Sequence, residues 1–408
     1  MKLFNKNMPK TIWALGFVSL LMDTSSEMVH GLLPVFLISV LGASYTMVGL
    51  IEGVGEASSL IIKVFSGPLS DWWGKRKPLV LLGYSMGAIS KPLFAIAPTP
   101  LLVLGARIFD RTGKGIRGAP RDALVADTAP PELRGEAFGL RQSLDTVGAF
   151  LGPLLAILLM SLTNGNYRLI FWLAVIPGVL SVIVLIFGVK EPEEKQAQNQ
   201  KRLSWSSVRE FKFVFWIVVI AGAIFQLARF SEAFLILRAQ NLGLSLSLAP
   251  VILVAMNIVY SVSAYPIGWL SDRIRREWLL LAGILVLIVS DLILGFGNSL
   301  THVFAGVILW GLHMGLTQGI LAALVADTSP QALRGTAYGI FNLFSALALL
   351  LASGIAGVLW DRFGPQTTFL TSAIFALSGM IILGLAYTIK RIYEPPPIRR
   401  TLLTTENV

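Results

Sequence analysis

The chain has 408 residues, of which 55% are hydrophobic and only 14% are charged, and its mean hydropathy is +0.73. A soluble domain carries about 25% charged residues, so the composition excludes a water-exposed globular protein and indicates a chain that lies in a membrane. The absence of cysteine excludes disulfides and thiolate metal sites, and the net charge of +10 has to be judged by where the basic residues fall.

Apolar segments long enough to cross a bilayer recur along the whole chain. A helix needs about 20 residues to cross a hydrocarbon core of about 30 Å, and lipid requires its backbone groups to be paired within the segment. We predict twelve such helices, near residues 11–40, 46–70, 78–97, 101–124, 136–161, 168–189, 213–238, 248–270, 278–297, 301–325, 336–359 and 367–390. The first is too long for a cleaved signal peptide and contains Asp23, Glu27 and His30. The sequence therefore predicts an all-α polytopic membrane protein.

The basic residues are concentrated on one side of the predicted membrane. Of the 33 lysines and arginines, 21 fall in one alternating set of gaps and tails, whereas the opposite gaps contain only Arg168, Arg238 and Arg362. This bias is typical of cytoplasmic loops. It predicts an inner-membrane protein with both termini in the cytoplasm, and it accounts for the positive charge without a nucleic-acid partner.

The two halves of the chain repeat each other. Residues 123–140 read ALVADTAPPELRGEAFGL and residues 323–340 read ALVADTSPQALRGTAYGI, with 12 of 18 positions identical at an offset of 200. We predict two pseudo-symmetric six-helix bundles, over 1–189 and 213–390, joined by a cytoplasmic linker over 190–212 and followed by a cytoplasmic tail over 391–408. Parallel repeats of this kind suit a transporter that rocks one bundle against the other around a central site.

Charge within the predicted spans is confined almost entirely to the first half. Apart from residues at the very ends of spans, the N-terminal spans contain 15 lysines, arginines, aspartates and glutamates, against Arg229, Glu232 and Asp291 in the C-terminal spans. At the offset of 200, Arg107 and Arg111 correspond to Val307 and Gly311, so the fold does not require these charges. The imbalance favours a functional role, with a self-neutralising network that only braces the bundle as the alternative.

A ladder of cations lies on the fourth predicted span. Arg107, Arg111, Lys114, Gly118 and Arg121 step by 4, 3, 4 and 3 residues and so share one helical face. Burying these cations in hydrocarbon is prohibitive, so the face must line a wet cavity or meet carboxylates.

The loop after the second predicted span reads GPLSDWWGKRKPL over residues 67–79. It resembles the G-x-L-x-D-x-x-G-[KR]-[KR] loop of the major facilitator superfamily, and the resemblance covers essentially the whole chain. In that superfamily the loop acts as a latch that helps to hold the bundles together when the protein opens outward. The resemblance implies a gating role for Gly67, Asp71, Gly74 and Arg76, with Asp127 as a partner. The alternative is that the basic residues of the loop only fix topology.

Two further segments are similar to patterns of that superfamily. Gly139, Gly148, Gly152 and Pro153 on span 5 have the spacing found in proton-linked exporters, although Ala156 and Ile157 stand where two glycines are usual. The start of span 4 resembles a pattern whose arginine is tied to proton coupling, which implies that role for Arg107. Arg111 stands where that pattern prefers glycine. Ordinary helix packing by small residues is the alternative for span 5.

Carboxylates near the cation ladder are the candidates for carrying a proton. Glu27, near the middle of span 1, is the first choice, Glu56 the second and Asp145 the third, with Asp23 one turn from Glu27. Together with Arg107 they form the predicted proton-coupling set. The predicted substrate-binding residues are Arg111, Lys114, Gln226, Arg229, Glu232, Asn257 and Gln318. His313 is isolated, so we expect it to make a structural hydrogen bond.

The resemblance and the residues together predict a secondary transporter of the major facilitator type. We expect it to export a small polar or anionic solute by alternating access, driven by protons, with no cofactor, no metal and no enzymatic activity, and to function as a monomer in the lipid bilayer. Uptake by proton symport is the alternative within transport. A transport-like sensor or assembly protein is the alternative from another class.

Overall fold

The fold was analysed in a computed structural model, which describes residues 8–130, 133–191, 210–271, 273–330 and 333–393. Within these ranges the chain is helical and contains no strand. The helices are α1 (Lys10–His30), α2 (Leu33–Ser39), α3 (Tyr45–Trp73), α4 (Lys77–Ile96), α5 (Pro100–Thr128), α6 (Arg134–Leu162), α7 (Tyr167–Leu173), α8 (Val175–Gly188), α9 (Phe213–Leu227), α10 (Ala233–Asn241), α11 (Val251–Ser271), α12 (Arg276–Phe296), α13 (Leu300–Asp327), α14 (Arg334–Phe363) and α15 (Pro365–Tyr393).

These helices form twelve crossings, which confirms the predicted all-α fold. Three crossings consist of two helices each: α1 with α2, α7 with α8, and α9 with α10. Eight helices in the described ranges are long and apolar enough to cross a membrane. The first, second, fourth and seventh crossings are not among those eight. The fourth contains the cation ladder, and the first and second contain most of the carboxylates near it.

Two of the breaks inside crossings are tied down by a serine hydroxyl. Ser25 Oγ on α1 donates to the carbonyl oxygen of Ala174, between α7 and α8, at 2.6 Å. Ser372 Oγ on α15 lies 2.6 Å from the carbonyl oxygen of Ala228, where α9 ends. A broken helix leaves carbonyl groups without an amide partner, and lipid supplies none. Ser372 thus completes the pairing of Ala228, which no described backbone amide contacts, whereas Ala174 also accepts from the Gly178 amide at 3.4 Å.

The crossings divide into an N-terminal lobe, α1–α8, and a C-terminal lobe, α9–α15, which meet where α3 packs against α14. Glycines allow this approach. A Cβ atom added at Gly49 would lie 2.1 Å from the carbonyl oxygen of Ser353, and one at Gly357 would lie 2.5 Å from that of Tyr45. Both pairs lie near the start of α3, and we call the contact between these two helices the α3–α14 seam. The opposite end of the molecule carries residues 74–76 between α3 and α4, which we call the Arg76 loop.

One carboxylate closes the same end of the seam. Asp361, near the end of α14, accepts hydrogen bonds from the backbone amides of Tyr45 and Thr46 at 3.0 and 2.8 Å and from the Thr46 hydroxyl at 2.5 Å. A residue of one lobe therefore caps the N-terminus of a helix in the other, where the helix dipole favours a negative charge. Tyr45 also stacks on Trp360, with ring centroids 5.2 Å apart.

Two expectations need adjustment. Arg238, assigned above to a gap between spans, lies inside α10, where it is buried and donates to the carbonyl oxygens of Leu294 and Gly297 at 2.9 and 2.7 Å. Most of the predicted linker over 190–212 and of the predicted tail over 391–408 lies outside the described residues, so the domain boundaries remain predictions.

Candidate functional site

Two connected cavities lie between the lobes. The inner one has a volume of about 330 Å³ and is lined by residues of both lobes, among them Glu27, His30, Glu52, Glu56, Arg111, Lys114, Gln226, Arg229, Ser231, Glu232, Asn257 and Trp310. The outer one has a volume of about 770 Å³ and contains Asp23, Lys63, Arg121 and Asp145 in its wall. Five residues line both cavities: Glu27, Glu56, Lys114, Ala149 and Asn257.

The outer cavity leads toward the end of the molecule that carries the Arg76 loop. Its walls are the halves of α3, α5, α6 and α11 nearest that end, and the α3–α14 seam closes the other end. Charged groups of α1, α3, α5 and α6 thus reach one continuous opening between the lobes. This arrangement gives the cation ladder the wet surface that its charge requires.

A buried ion pair forms the floor of the inner cavity. Arg107 Nη2 on α5 lies 2.5 Å from Glu52 Oε2 on α3, and the two side chains are only 3% and 1% exposed. Glu52 Oε2 also lies 3.5 Å from Ser231 Oγ of the other lobe. A Cβ atom at Gly55 would lie 2.8 Å from Arg107 Cγ, so this glycine makes room for the arginine. Arg107 itself lines neither cavity.

His30 connects this ion pair to the cavity. Its Nε2 lies 2.6 Å from Arg107 Nη2, and its Nδ1 lies 3.6 Å from Glu27 Oε2. Arginine only donates hydrogen bonds, so Nε2 must be the accepting nitrogen and the proton of the neutral ring sits on Nδ1, facing Glu27. The imidazole therefore links a cavity carboxylate to a buried arginine.

Arg111 has a carboxylate partner in the described structure, whereas Lys114 has none. Arg111 Nη2 lies 2.9 Å from Glu56 Oε1, with the arginine buried and the glutamate partly exposed. Lys114 is exposed in both cavities and has no hydrogen bond or ion pair with any described residue. Lys114 is thus a cation available to a solute.

A second group of charges lies at the outer cavity, whose wall includes Asp23, Arg121 and Asp145. Arg141 Nη1 contacts Asp145 Oδ2 at 2.5 Å, one turn along α6, and Arg121 Nε lies 3.3 Å from Asp122 Oδ1. Asp23 lines the same wall without an ion pair in the described structure. Asp145, a predicted proton carrier, is therefore neutralised by its own helix in this conformation.

The ion pair between Lys91 and Asp110 was not anticipated from the sequence. Lys91 Nζ on α4 lies 2.8 Å from Asp110 Oδ1 on α5, with Ser90 Oγ also 2.8 Å from that oxygen. Lys91 is 1% exposed, and neither residue lines a described cavity. A lysine in the middle of an apolar span is a signal for a buried partner, and that signal was available.

The C-terminal lobe contributes four of its five predicted substrate residues to the inner cavity. Gln226, Arg229 and Glu232 lie at the break between α9 and α10, and Asn257 lies on α11. Arg229 has one hydrogen bond, at 3.3 Å to Gln226 Oε1, and its Nε is without a partner in the described structure. Glu232 has no ion pair within the described ranges.

Two predictions for this lobe need correction. Gln318 lines neither cavity, and its Oε1 accepts a hydrogen bond from Tyr260, which lines the outer one, at 2.9 Å. The hydrogen bond predicted for His313 is wrong: its ring is fully buried, and neither nitrogen has a partner among the described residues. The ring instead packs edge-on against Phe225 and Trp310.

The Arg76 loop is held together within the N-terminal lobe. Arg76 Nε donates to Asp127 Oδ2 at 2.7 Å, and Nη1 donates to Asp71 Oδ1 at 2.8 Å. Burial lowers the pKa of Arg76, but the hydrogen bonds and charges of Asp127 and Asp71 outweigh it and raise that pKa above its ordinary value. Gly74 ends α3 with φ +70°, a conformation that glycine adopts at little cost. Glu191 accepts from the amides of Arg76 and Lys77 at 2.8 Å.

The glycines of span 5 have different surroundings. Added Cβ atoms at Gly148 and Gly152 would lie 2.4 and 2.7 Å from the carbonyl oxygens of Leu20 and Thr24 on α1, so these residues allow close packing within the lobe. Gly139 has open space around it and serves no such contact. Pro153 is buried inside α6. Gly67, in the loop motif, has only Ala119 nearby, at 3.4 Å.

One cluster has the spacing of a metal site without its electrostatics. Ligand atoms of His30, Glu52 and Glu56 lie within 4.8 Å of one another. Arg107 and Arg111 occupy the space between the same oxygens, at 2.5 and 2.9 Å. Two guanidinium groups so close would repel a cation, so this cluster does not fit a metal ion.

Comparison with known proteins places the chain among membrane transporters. The sequence model of the family described as Major Facilitator Superfamily matches residues 15–252 and 218–406. An uncharacterized MFS-type transporter of Methanocaldococcus jannaschii is 36% identical over 396 residues, which are 93% of this chain and 96% of the relative. The multidrug resistance protein MdtH of Salmonella typhi is 25% identical over 380 residues, covering 89% of this chain and 90% of that protein.

Solved structures share the fold. The nucleoside transporter NupG superposes with a TM-score of 0.76 at 14% identity, over 95% of this chain and 99% of that one. A bacterial homolog of the human lysosomal transporter Spinster, in an inward-facing and unoccupied conformation, gives a TM-score of 0.75 at 17% identity, over 93% and 96% of the two chains.

Proposed function

Because the chain belongs to the major facilitator superfamily, we propose that it exports a small polar or anionic solute from the cytoplasm in exchange for protons. The protein would work by alternating access, as a monomer in the inner membrane with both termini in the cytoplasm. The positive-inside bias of its loops supports this orientation. With that orientation, the cavity opens inward in the present conformation.

The observation that carries the proposal is the position of Glu27. Its side chain lines both cavities, and it faces the Nδ1 atom of His30 at 3.6 Å. A carboxylate that exchanges protons with a cavity must be reachable by water. Its change of charge must also be felt by a more buried group. Glu27 meets both conditions, since His30 connects it to the buried pair of Arg107 and Glu52.

Protonation of Glu27 would be transmitted through this chain of contacts. A neutral Glu27 no longer attracts the Nδ1–H of His30, which leaves the imidazole free to turn away from Arg107. Arg107 then bonds only to its carboxylates. Glu52 touches Ser231 of the other lobe, and the Ser231 amide donates to Ser353 at 3.1 Å. The proton site is thus connected to residues of both lobes beside the α3–α14 seam.

The charges of the inner cavity support an anionic solute. Lys114 of the N-terminal lobe and Arg229 of the C-terminal lobe both reach the cavity, and neither has a carboxylate within ion-pair distance in the described structure. An anion between them would neutralise both and draw the lobes together. The MdtH relative, named for multidrug resistance, supports export over uptake.

Alternating access requires that the two ends open in turn. In this conformation the seam and Asp361 close one end, while the Arg76 loop makes its ion pairs inside one lobe. We propose that separating the seam frees the N-terminus of α3 from Asp361. The loop would then become the latch between the lobes at its own end.

The test uses purified protein in proteoliposomes with a pH-sensitive dye inside and an imposed pH gradient. A panel of carboxylates, organic phosphates, amino acids and cationic dyes is screened for compounds whose movement changes the internal pH. We expect anions to collapse the gradient as they are exported. Glu27→Gln should abolish the proton flux and leave the unfolding temperature within a few degrees of the parent.

A matched control separates proton carrying from general damage. Glu232→Gln removes the cavity carboxylate of the other lobe and should change solute affinity while retaining proton exchange. Solute movement in the same direction as the proton would instead establish symport. Full proton flux in Glu27→Gln would overturn the assignment of the proton to Glu27.

A further inference from the structure

Asp291 is a buried acid that the proposed transport cycle does not use. It lies on α12 with no exposed surface, lines neither cavity, and forms no ion pair with a described residue. Neighbouring elements carry several charged or titratable groups: Arg229 and Glu232 at the α9–α10 break, Arg238 on α10, and His302, His313 and Asp327 on α13. The first five have no hydrogen bond or ion pair with Asp291 in the described structure, where Arg238 is bonded to carbonyl oxygens and His302 to Ser299. Asp327 is the last residue of α13, at the far end of that helix from Asp291.

A count of protons shows how Asp291 is neutralised. Ser372 Oγ lies 2.6 Å from Asp291 Oδ2 and 2.6 Å from the carbonyl oxygen of Ala228. A serine hydroxyl has one hydrogen, and a carbonyl oxygen only accepts. If Ser372 donates to Ala228, the hydrogen between Ser372 and Asp291 must belong to the carboxyl group. The other oxygen, Asp291 Oδ1, has no partner in the described structure, as suits the C=O of an acid better than half of a carboxylate.

The Ala228 carbonyl needs this donor because it lies at a helix end. It is the residue after α9, and no described backbone amide donates to it. The contrast is Ser90, which also lies near two acceptors, the Gly87 carbonyl oxygen and Asp110 Oδ1, at 2.7 and 2.8 Å. Gly87 lies inside α4, where the helix supplies an amide, and Asp110 is paired with Lys91. Ser90 is therefore free to donate to a charged carboxylate, whereas Ser372 is not.

We propose that Asp291 stays protonated throughout the cycle and, through Ser372, positions the α9–α10 break that holds Arg229 at the inner cavity. The chain of donors runs from the Asp291 hydroxyl to Ser372 and from Ser372 to the Ala228 carbonyl. It ties α12 and α15 to the break one residue before Arg229. Asp291 is thus a positioning residue and not a second proton carrier, and this holds whichever way the solute moves.

The first test detects the protonated carboxyl group of Asp291 by infrared spectroscopy. Infrared spectra of the purified protein in lipid are recorded between about pH 5 and about pH 9, where an ordinary aspartate is ionised. The difference between the parent and Asp291→Asn should contain the C=O band of a protonated carboxylic acid that persists over the whole range. Conversion of that band to a carboxylate band within the range would overturn the proposal.

The second test reads the position of the break. The chain has no native cysteine, so Gln226→Cys places a single thiol on the cavity wall beside Arg229. Its reaction rate with a water-soluble maleimide is compared across backgrounds. Asp291→Asn keeps a neutral donor of similar shape and should leave the rate unchanged. Asp291→Ala and Ser372→Ala should each change it by about five- to tenfold, because a buried hydrogen bond is lost.

Ser25→Ala is the matched control, because Ser25 bonds to a helix break in the other lobe and should not alter the Gln226→Cys rate. Equal rates in Asp291→Asn and Asp291→Ala would overturn the positioning role. If Asp291→Ala does not fold, Ser372→Ala and Asp291→Asn still decide the question. Solute-driven proton flux should be retained in Asp291→Asn and lost in Glu27→Gln, so failure of this inference is distinguishable from failure of the proposed exporter.

Discussion

The two lobes place different kinds of side chain at corresponding buried positions of the same fold. At the offset of 200, Lys91 corresponds to Asp291 and Asp110 to Trp310. In the N-terminal lobe the pair is ionised and joins α4 to α5, while in the C-terminal lobe a neutral acid and an aromatic ring occupy the same places. The fold tolerates both, so the charges of the N-terminal lobe are not a requirement of helix packing. They support the proposal that the N-terminal lobe handles the protons.

The largest expected effect comes from the buried floor of the cavity. Arg107→Met leaves Glu52 buried without its cation, and we expect the free energy of unfolding to fall by about 3–5 kcal/mol. The measurement is thermal unfolding of the detergent-solubilised protein. Val307→Ala, at the corresponding position of the other lobe, should cost only about 1–2 kcal/mol.

Adding Glu52→Gln to Arg107→Met should restore much of the lost stability but not transport, since both charges are then removed together. Equal stability of Arg107→Met and Val307→Ala would contradict the argument that Glu52 needs Arg107 as its buried partner.

Breaking the ion pair between Lys91 and Asp110 should cause a somewhat smaller loss of stability. Lys91→Met isolates Asp110, which retains the Ser90 hydroxyl, and should destabilise the protein by about 3 kcal/mol. Asp291→Asn at the corresponding position should change stability by less than about 1 kcal/mol, because it replaces one neutral donor by another. Denaturation of both variants under the same conditions checks the comparison, which fails if Asp291→Asn proves the more damaging.

The cap across the seam predicts a shift between conformations with little loss of stability. A helix cap contributes about 0.5–2 kcal/mol, so Asp361→Asn should favour separation of the seam by a factor of about 2–30. Spin labels on Leu162→Cys with Leu246→Cys, and on Trp73→Cys with Trp278→Cys, report the lobe distance at the two ends.

Glu191→Gln is the control for this shift, because Glu191 caps α4 inside one lobe and should leave both distance distributions unchanged. If Asp361→Asn and Glu191→Gln behave alike, the cap on α3 does not hold the lobes together.

The smallest effect is expected at Gln318. Its amide oxygen is used by Tyr260 and it lines neither cavity, so Gln318→Ala should change the solute concentration for half-maximal flux by less than about threefold. Asn257→Ala removes a group that lines both cavities and should change it more. A larger effect at Gln318 would mean that a different conformation brings it to the solute.

The fold was predictable because apolar length and loop charge are strong signals in a membrane protein. All twelve crossings lie near their predicted positions. The breaks at Gly31 and Ala228 were not predictable, since a broken helix keeps the same apolar composition as an intact one. The carbonyl exposed at Ala228 is paired by Ser372, which is distant in sequence.

The candidate site was predictable in its residues but not in its pairing. Helical spacing places Glu27, Glu56 and Lys114 on faces that can meet, and the structure brings them to one cavity. Spacing within a helix says nothing about which helix lies opposite, so the partners of Arg107 and Lys91 remained open. Asp361 was missed because an acid near the end of a span is ordinary until its neighbour in the other lobe is known.

The close backbone contact at Gly49 in the α3–α14 seam also suggests a way to favour one conformation of the protein. Where most helix pairs interlock through side chains, Gly49 presents bare backbone to the Ser353 carbonyl, leaving no room for even one methyl group. At Gly49 the lobes can therefore part without withdrawing a side chain, and the side-chain contacts to be released lie at Tyr45 and Thr46. A single methyl group at residue 49 would act as a wedge, holding apart a contact that is made and broken in the proposed cycle, and would offer a way to trap the opposite conformation for structure determination.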